Sequence, residues 1–121
     1  MKIAVPVKDN SLEIFPRTGQ APYFAIFNDS TFSHLIKNLI EEHEEKEEDS
    51  SKDHVEFHRK QVEALGDIDA VLVLKIGKHI KQALEEKNIQ IIEFPNSNYK
   101  NAKELIENYF NNKKIKNQNY T

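Results

Sequence analysis

Between Asp69 and Pro95 the chain reads DAVLVLKIGKHIKQALEEKNIQIIEFP, and no other stretch limits the fold as much. Five apolar residues, Ala70 to Leu74, lie between Asp69 and Lys75. That run is too short for a helix and predicts a strand buried on both faces, as in parallel sheets. Gly77 breaks it, and Ile80, Ala83 and Leu84 then recur at helical spacing, with Lys81, Gln82, Glu85 and Glu86 on the other side. Asn88 suits a left-handed stop, and Ile89, Ile91 and Ile92 form a second short strand ended by Pro95. Strand, helix, strand in this order is a right-handed crossover between parallel strands.

The rest of the chain supplies three more strands and two more helices. Lys2 to Val7 (KIAVPV) predicts a strand, with Pro6 ending it or leaving it partly unpaired. Lys8 to Gln20 is a polar turn region with Pro16 and Gly19, with room for a short strand near Leu12 to Phe15. Tyr23 to Phe27 predicts a strand, Asn28-Asp29-Ser30 a turn, and Phe32 to Ile40 the returning strand of a hairpin. Helical spacing of Leu35, Ile36, Leu39 and Ile40 also permits a helix there; the shortness of the turn favours the strand. Val55, Val62 and Leu65 mark a helix with Asp53 as N-cap and Gly66 as stop. Tyr99, Ala102, Leu105, Ile106, Tyr109 and Phe110 mark a last helix, capped from Asn96 to Asn98 and fraying from Asn111 onwards.

Composition excludes several classes of function. At 121 residues the chain is one domain, expected to span 1–112 with a frayed basic tail over 113–121. It contains no cysteine, which removes disulfides, thiolate nucleophiles and Cys-ligated metal centres. No apolar run is long enough to span a bilayer, and MKIAVPV lacks the features of a signal peptide, so a cytoplasmic location is expected. The net charge of −3 is uneven: Glu41 to Asp49 contributes seven acids against one Lys, and Lys113, Lys114 and Lys116 crowd the C-terminus. The folded body therefore carries no basic footprint for nucleic acid. The acidic run reads as a solvated segment, and His43 within it as solvated with the rest. His54 and His58 share a helix face at a spacing that a metal could bridge. Without a third ligand nearby, His58 is expected to pack, hydrogen-bonded, on the Val55–Val62–Leu65 stripe.

With hairpins joining the first three strands and crossovers joining the last two, the natural sheet order is 3-2-1-4-5 with helices on both faces. This is a ribonuclease H-like α/β arrangement. Three stretches, MKIAVPV, GQAPYFAIF and DIDAVLVLKIGKHIKQALEEKNIQII, together resemble the dinitrogenase iron–molybdenum cofactor biosynthesis family, the NifX-like small proteins. Gly19, Ala21, Phe24, Asn38, Asp69 and Gly77 match its pattern position by position. Arg17 and Thr18 replace the family's usual His and Phe, and Leu74-Lys75 stands where Gly-Gly is common. The acidic run replaces a Gly- and His-rich loop, so no ligand role passes to His43, His54 or His58. The resemblance implies the fold above and a small non-enzymatic protein that binds or carries an anionic metal–sulfur cluster or its precursor. In a chain without cysteine, an iron–sulfur or molybdenum-containing cluster would be held by His, Lys and backbone N–H groups, and so labile.

Ligands of open α/β sheets bind beyond the carboxyl ends of strands where the chain order switches direction, here between the first and fourth strands. Lys8, Asp9, the loop Arg17-Thr18-Gly19 and the turn Lys75-Ile76-Gly77-Lys78-His79 are expected to converge there. The turn opens a helix, whose free N–H groups favour an anion, either an anionic cluster or an oxyanion. Gly77 either admits a ligand close to the backbone or only serves a tight turn. Two-metal nuclease chemistry is excluded, because neither the first nor the fourth strand supplies the carboxylates it needs. No Ser-His-Asp spacing, Walker motif or paired carboxylates stand out, so no catalytic residue is assigned. An oligomerising adaptor that has lost cluster binding, associating through strand 32–40, is the second expectation.

Overall fold

The computed structural model describes residues 1–38, 51–94 and 101–119, with side chains at 51–55 and 112–119 left out. The acidic run, with His43, and the expected caps Asn96 to Asn98 lie outside the described residues. Five strands form one sheet: β1 (Lys2–Val7), β2 (Tyr23–Asn28), β3 (Thr31–Lys37), β4 (Ala70–Val73) and β5 (Gln90–Glu93). Their order is β3-β2-β1-β4-β5, the expected 3-2-1-4-5. β1 runs antiparallel to β2 and β2 to β3, whereas β1–β4 and β4–β5 are parallel. Pairing between β1 and β4 stops at Ala4 opposite Val71, before Pro6, which has no N–H to give to a ladder.

Alternation along the central strands divides the core into two layers. Ile3, Val5 and Val7 of β1, with Ala70 and Leu72 of β4, pack under Ala102, Leu105 and Ile106 of the C-terminal helix. On the other face Ala4, Val71 and Val73 meet Val62 and Leu65 of one helix and Ile80, Ala83 and Leu84 of another. All four β4 residues are fully buried, as a doubly covered parallel strand requires. The helices are α1 (Ser51–Leu65), α2 (Lys78–Glu86) and α3 (Ala102–Asn119), so the molecule is a three-layer α/β fold. No helix among the described residues is long and apolar enough to cross a membrane.

Element boundaries differ from the sequence expectation in four places. α1 starts at Ser51, which puts Asp53 inside the helix and not at its N-cap. α3 is capped by Asn101, whose Oδ1 accepts the Lys103 N–H at 2.8 Å, and it runs on to Asn119 through the segment expected to fray. Asn101 is held by tertiary contacts that the sequence pattern does not display. Its Nδ2 donates to the Ser11 carbonyl at 3.0 Å, and Ala102 N–H donates to Leu12 O at 2.8 Å. The 12–15 region forms bridges without a full strand: Ile14 pairs with Val7, and Phe15 N–H reaches Pro6 O at 2.9 Å. β3 spans Thr31–Lys37, after which the Asn38 N–H donates to Pro22 O and its Nδ2 to Ala21 O, while Leu39 and Ile40 of the expected strand lie outside the described residues. The left-handed stops are where expected, at Gly66 (φ 75°) and Asn88 (φ 61°).

Candidate functional site

After β1 the chain turns through Asp9 to Leu12. The Asp9 carboxylate accepts the Ser11 N–H at 2.9 Å, and the Ser11 hydroxyl and N–H together hold the Asp9 carboxyl below its ordinary range. The chain then returns along β1 and reaches Arg17, which forms a parallel bridge with Lys75 just after β4. Thr18 secures this junction. Its N–H and its hydroxyl both donate to the Lys75 carbonyl, at 3.2 and 2.6 Å, and Lys75 N–H donates to Pro16 O at 3.1 Å. Two loops remote in sequence are thereby fixed side by side at the β1/β4 switch point.

A pocket of about 430 Å³ lies between them, lined chiefly by Arg17–Gln20, His58 and Lys75–Ile80. That volume falls in the ~300–1,000 Å³ range of small-ligand sites. Of the expected site residues, Arg17, Thr18, Gly19, Lys75, Gly77, Lys78 and His79 all line it. Lys8 and Asp9 do not: Lys8 N–H is committed to Glu13 O at 2.8 Å, in the turn that carries the chain back along β1. Gly77 precedes α2 with φ −76° and ψ 160°, a conformation open to any residue, and a Cβ built there would meet nothing within 4 Å. The tight turn therefore does not demand glycine, and a side chain there would enter open space beside the pocket.

The lining has an unusual charge pattern. Arg17, Lys75 and Lys78 contribute three cations, and no Asp or Glu is among the described residues that line it. Lys78 and His79 occupy the first turn of α2, which holds no acid. Cations there oppose the helix dipole, a local cost of ~0.3–1 kcal/mol each for exposed charges, unless an anion is present. Among the described residues, no three His, Cys, Asp or Glu side chains are grouped to hold a metal ion. The described side chains around the pocket thus offer hydrogen-bond donors and positive charge.

Gln20, His58 and Ile80 also line the pocket although the sequence assigned them no role there, and of these His58 carries the chemistry. It sits on the α1 stripe as expected, half-buried and hydrogen-bonded, with Nδ1 2.6 Å from Gln61 Oε1. Its ring also lies parallel to that of His79, at 5° between planes and 6.3 Å between centroids. Gln61, 1% exposed, donates through Nε2 to the Gly19 carbonyl at 3.1 Å and so ties α1 to the Arg17–Gln20 loop. The burial of Gln61 in the structure is the signal that marks this corner; the sequence shows only a His and a Gln one turn apart.

Several solved structures share the fold, among them the following three. The apo form of the orange protein from Desulfovibrio gigas superposes with a TM-score of 0.67 and 16% identity, covering 92% of this chain and 88% of that one. A Thermotoga protein provisionally called NifB gives 0.60 and 15%, over 92% and 87%. A Methanocaldococcus jannaschii protein provisionally called a dinitrogenase gives 0.58 and 14%, over 93% and 89%. At these identities the likeness speaks for the fold. A search of curated proteins found no match. A sequence profile of the family described as dinitrogenase iron-molybdenum cofactor matches residues 1–112, nearly the whole chain, and with the resemblance in its strands and turns this places the protein in that family.

Proposed function

We propose that this protein binds an anionic metal–sulfur cluster or oxyanion in the pocket between Arg17–Gln20 and Lys75–Ile80, and carries it without transforming it. The observation that supports this reading is the convergence of three cations, two imidazoles and a helix N-terminus on a pocket with no carboxylate among the described residues that line it. Arg17 and Lys75 supply charge-assisted hydrogen bonds to the oxygen or sulfur periphery of the cargo. The N–H groups of the first turn of α2 add to the same field. Imidazole nitrogens of His58 or His79 are the donors available to a metal atom. Without thiolates the cargo is held loosely, which suits delivery more than storage.

Calorimetry at low salt with molybdate, thiomolybdate and phosphate is the direct test, since salt screens an exposed site. Arg17→Ala combined with Lys75→Ala is expected to abolish the heat of binding while leaving the melt nearly unchanged. Anaerobic incubation with iron, sulfide and molybdate or copper, followed by desalting and visible absorption, tests a cluster. Lack of binding in both experiments refutes the reading. A second reading, an adaptor that associates through β3, is favoured by one observation. β3 is an edge strand whose Phe32 is 38% exposed, and such edges invite pairing. Light scattering that gives a monomer, with unprotected β3 amides in hydrogen exchange, removes it.

A further inference from the structure

Among the described residues the buried polar side chains are Thr18 (1% exposed), Gln61 (1%) and Asn38 (5%). They come from three places, the loop before β2, helix α1 and the residue after β3, yet all three fasten one short segment, Arg17 to Ala21. Thr18 Oγ1 donates to Lys75 O at 2.6 Å, Gln61 Nε2 to Gly19 O at 3.1 Å, and Asn38 Nδ2 to Ala21 O at 2.8 Å. The amide nitrogens are the atoms placed there because a carbonyl oxygen accepts and does not donate. A buried polar side chain costs stability unless it is paired. Asn38 is only partly paired, since its Oδ1 is buried without a partner among the described residues. An apolar side chain of similar size would avoid that cost. What the three share is their acceptor: a backbone carbonyl in the pocket wall or next to it.

A carbonyl oxygen turned toward an anion repels it, whereas an N–H group or a cation attracts it. Gln61 and Asn38 are not among the residues that line the pocket, so the carbonyls they hold are drawn back into the body. Within the loop, Gln20 N–H donates to Arg17 O at 3.1 Å and Ala21 N–H to Thr18 O at 3.3 Å, which closes it into one turn. We propose that Gln61 and Asn38 are positioning residues of the anion site, each holding a carbonyl of the Arg17–Ala21 loop away from the ligand and so fixing the loop before the ligand arrives. This rests on the pocket being an anion site. Gln61 acts from α1 and Asn38 from the end of β3, while Thr18 secures the Lys75 side of the same junction. A loop held ready spares the ligand the cost of ordering it. When one restraint is removed, the competent loop becomes a fraction of the population and apparent affinity falls in proportion. One net hydrogen bond corresponds to about a fivefold change in such an equilibrium, which sets the upper limit for each residue.

The test is calorimetric titration of the full chain with molybdate at low salt. Gln61→Met and Asn38→Leu keep the volume and delete the donor. Ile106→Val, in the core on the opposite face of the sheet, is the control for destabilisation alone. Thermal melts establish that each variant is folded. Both loop variants are expected to bind molybdate about two- to fivefold more weakly than wild type, and Ile106→Val as tightly as wild type. Amide exchange of the ligand-free protein, followed by NMR, is expected to quicken at Gln20 and Ala21 in both loop variants and to slow again on saturation with molybdate. A purely structural role would not give that signature. The two variants reach the loop from different elements, so one that fails to fold leaves the other to decide. Wild-type affinity in the folded variants overturns the positioning role and leaves the anion site standing. So does an equal loss of affinity in Ile106→Val. Absence of molybdate binding by wild type overturns both.

Discussion

Thr18→Val isolates the hydroxyl that joins the two halves of the site. Thr18 is 1% exposed, and its Oγ1 donates to the Lys75 carbonyl at 2.6 Å, while its own N–H donates to the same oxygen at 3.2 Å. Valine keeps the shape and the N–H bond, so the Lys75 carbonyl is not orphaned and the cost is that of one net hydrogen bond, ~1 kcal/mol. With about 2.1 cal/mol/K of unfolding entropy per residue, the whole chain has roughly 0.25 kcal/mol/K, so this loss lowers Tm by about 4 °C. Thr18→Ala removes a methyl as well. Thr18 lines a narrow gap among Phe24, Gln61, Val62 and Ile80, so the lost burial adds ~1 kcal/mol and brings the total shift to about 8 °C. Differential scanning calorimetry of wild type, Val and Ala variants resolves these steps. Molybdate affinity is expected to fall measurably already in the Val variant, because one of the three hydrogen bonds that fix Lys75 against the Arg17 loop is lost. If Thr18→Val melts and binds as wild type does, the hydroxyl does not staple the site and this account of its assembly is wrong.

Three further outcomes are expected. Val73→Asp places a carboxylate in a strand covered on both faces, so circular dichroism should show no cooperative melt; a normal transition would mean that β4 is not the buried strand described. Gly77→Ser should leave Tm unchanged or raise it by a degree or two, since serine caps a helix slightly better than glycine and its Cβ meets nothing within 4 Å. The same change should weaken molybdate binding by placing a hydroxyl in the pocket, and undiminished binding would separate Gly77 from ligand access. The Asp9 carboxyl is held below its ordinary value of 3.8 by Ser11, so the stability it contributes is present above that value and lost as pH falls through the depressed one. The difference in Tm between wild type and Asp9→Ala should therefore shrink from about pH 6 to about pH 3, and a constant difference would refute the assignment.

The elements and their order were legible in the sequence because the patterns that encode them are local. Ala70 to Leu74 could only be a covered strand, Ile80, Ala83 and Leu84 only one face of a short helix, and the handedness of the crossover then left one natural sheet. The two loops that line the pocket were also legible, since both follow strands that meet at the switch point. Lys8 and Asp9 were grouped with them because they are adjacent in sequence to the end of β1. The return of Glu13 and Ile14 onto β1 commits both residues to a turn outside the pocket. The cap of α3 was hidden for a similar reason: Asn101 is held there by contacts with Ser11 and Leu12, remote in the chain. Where α1 lands was decided only in three dimensions. Val62 and Leu65 seat on the face of β4 shared with Ile80 and Leu84, and that packing carries His58 and Gln61, one turn away, against Gly19 and His79. Periodicity identifies which side of a helix is buried, but which loops its polar edge will touch is set by the packing of several elements at once.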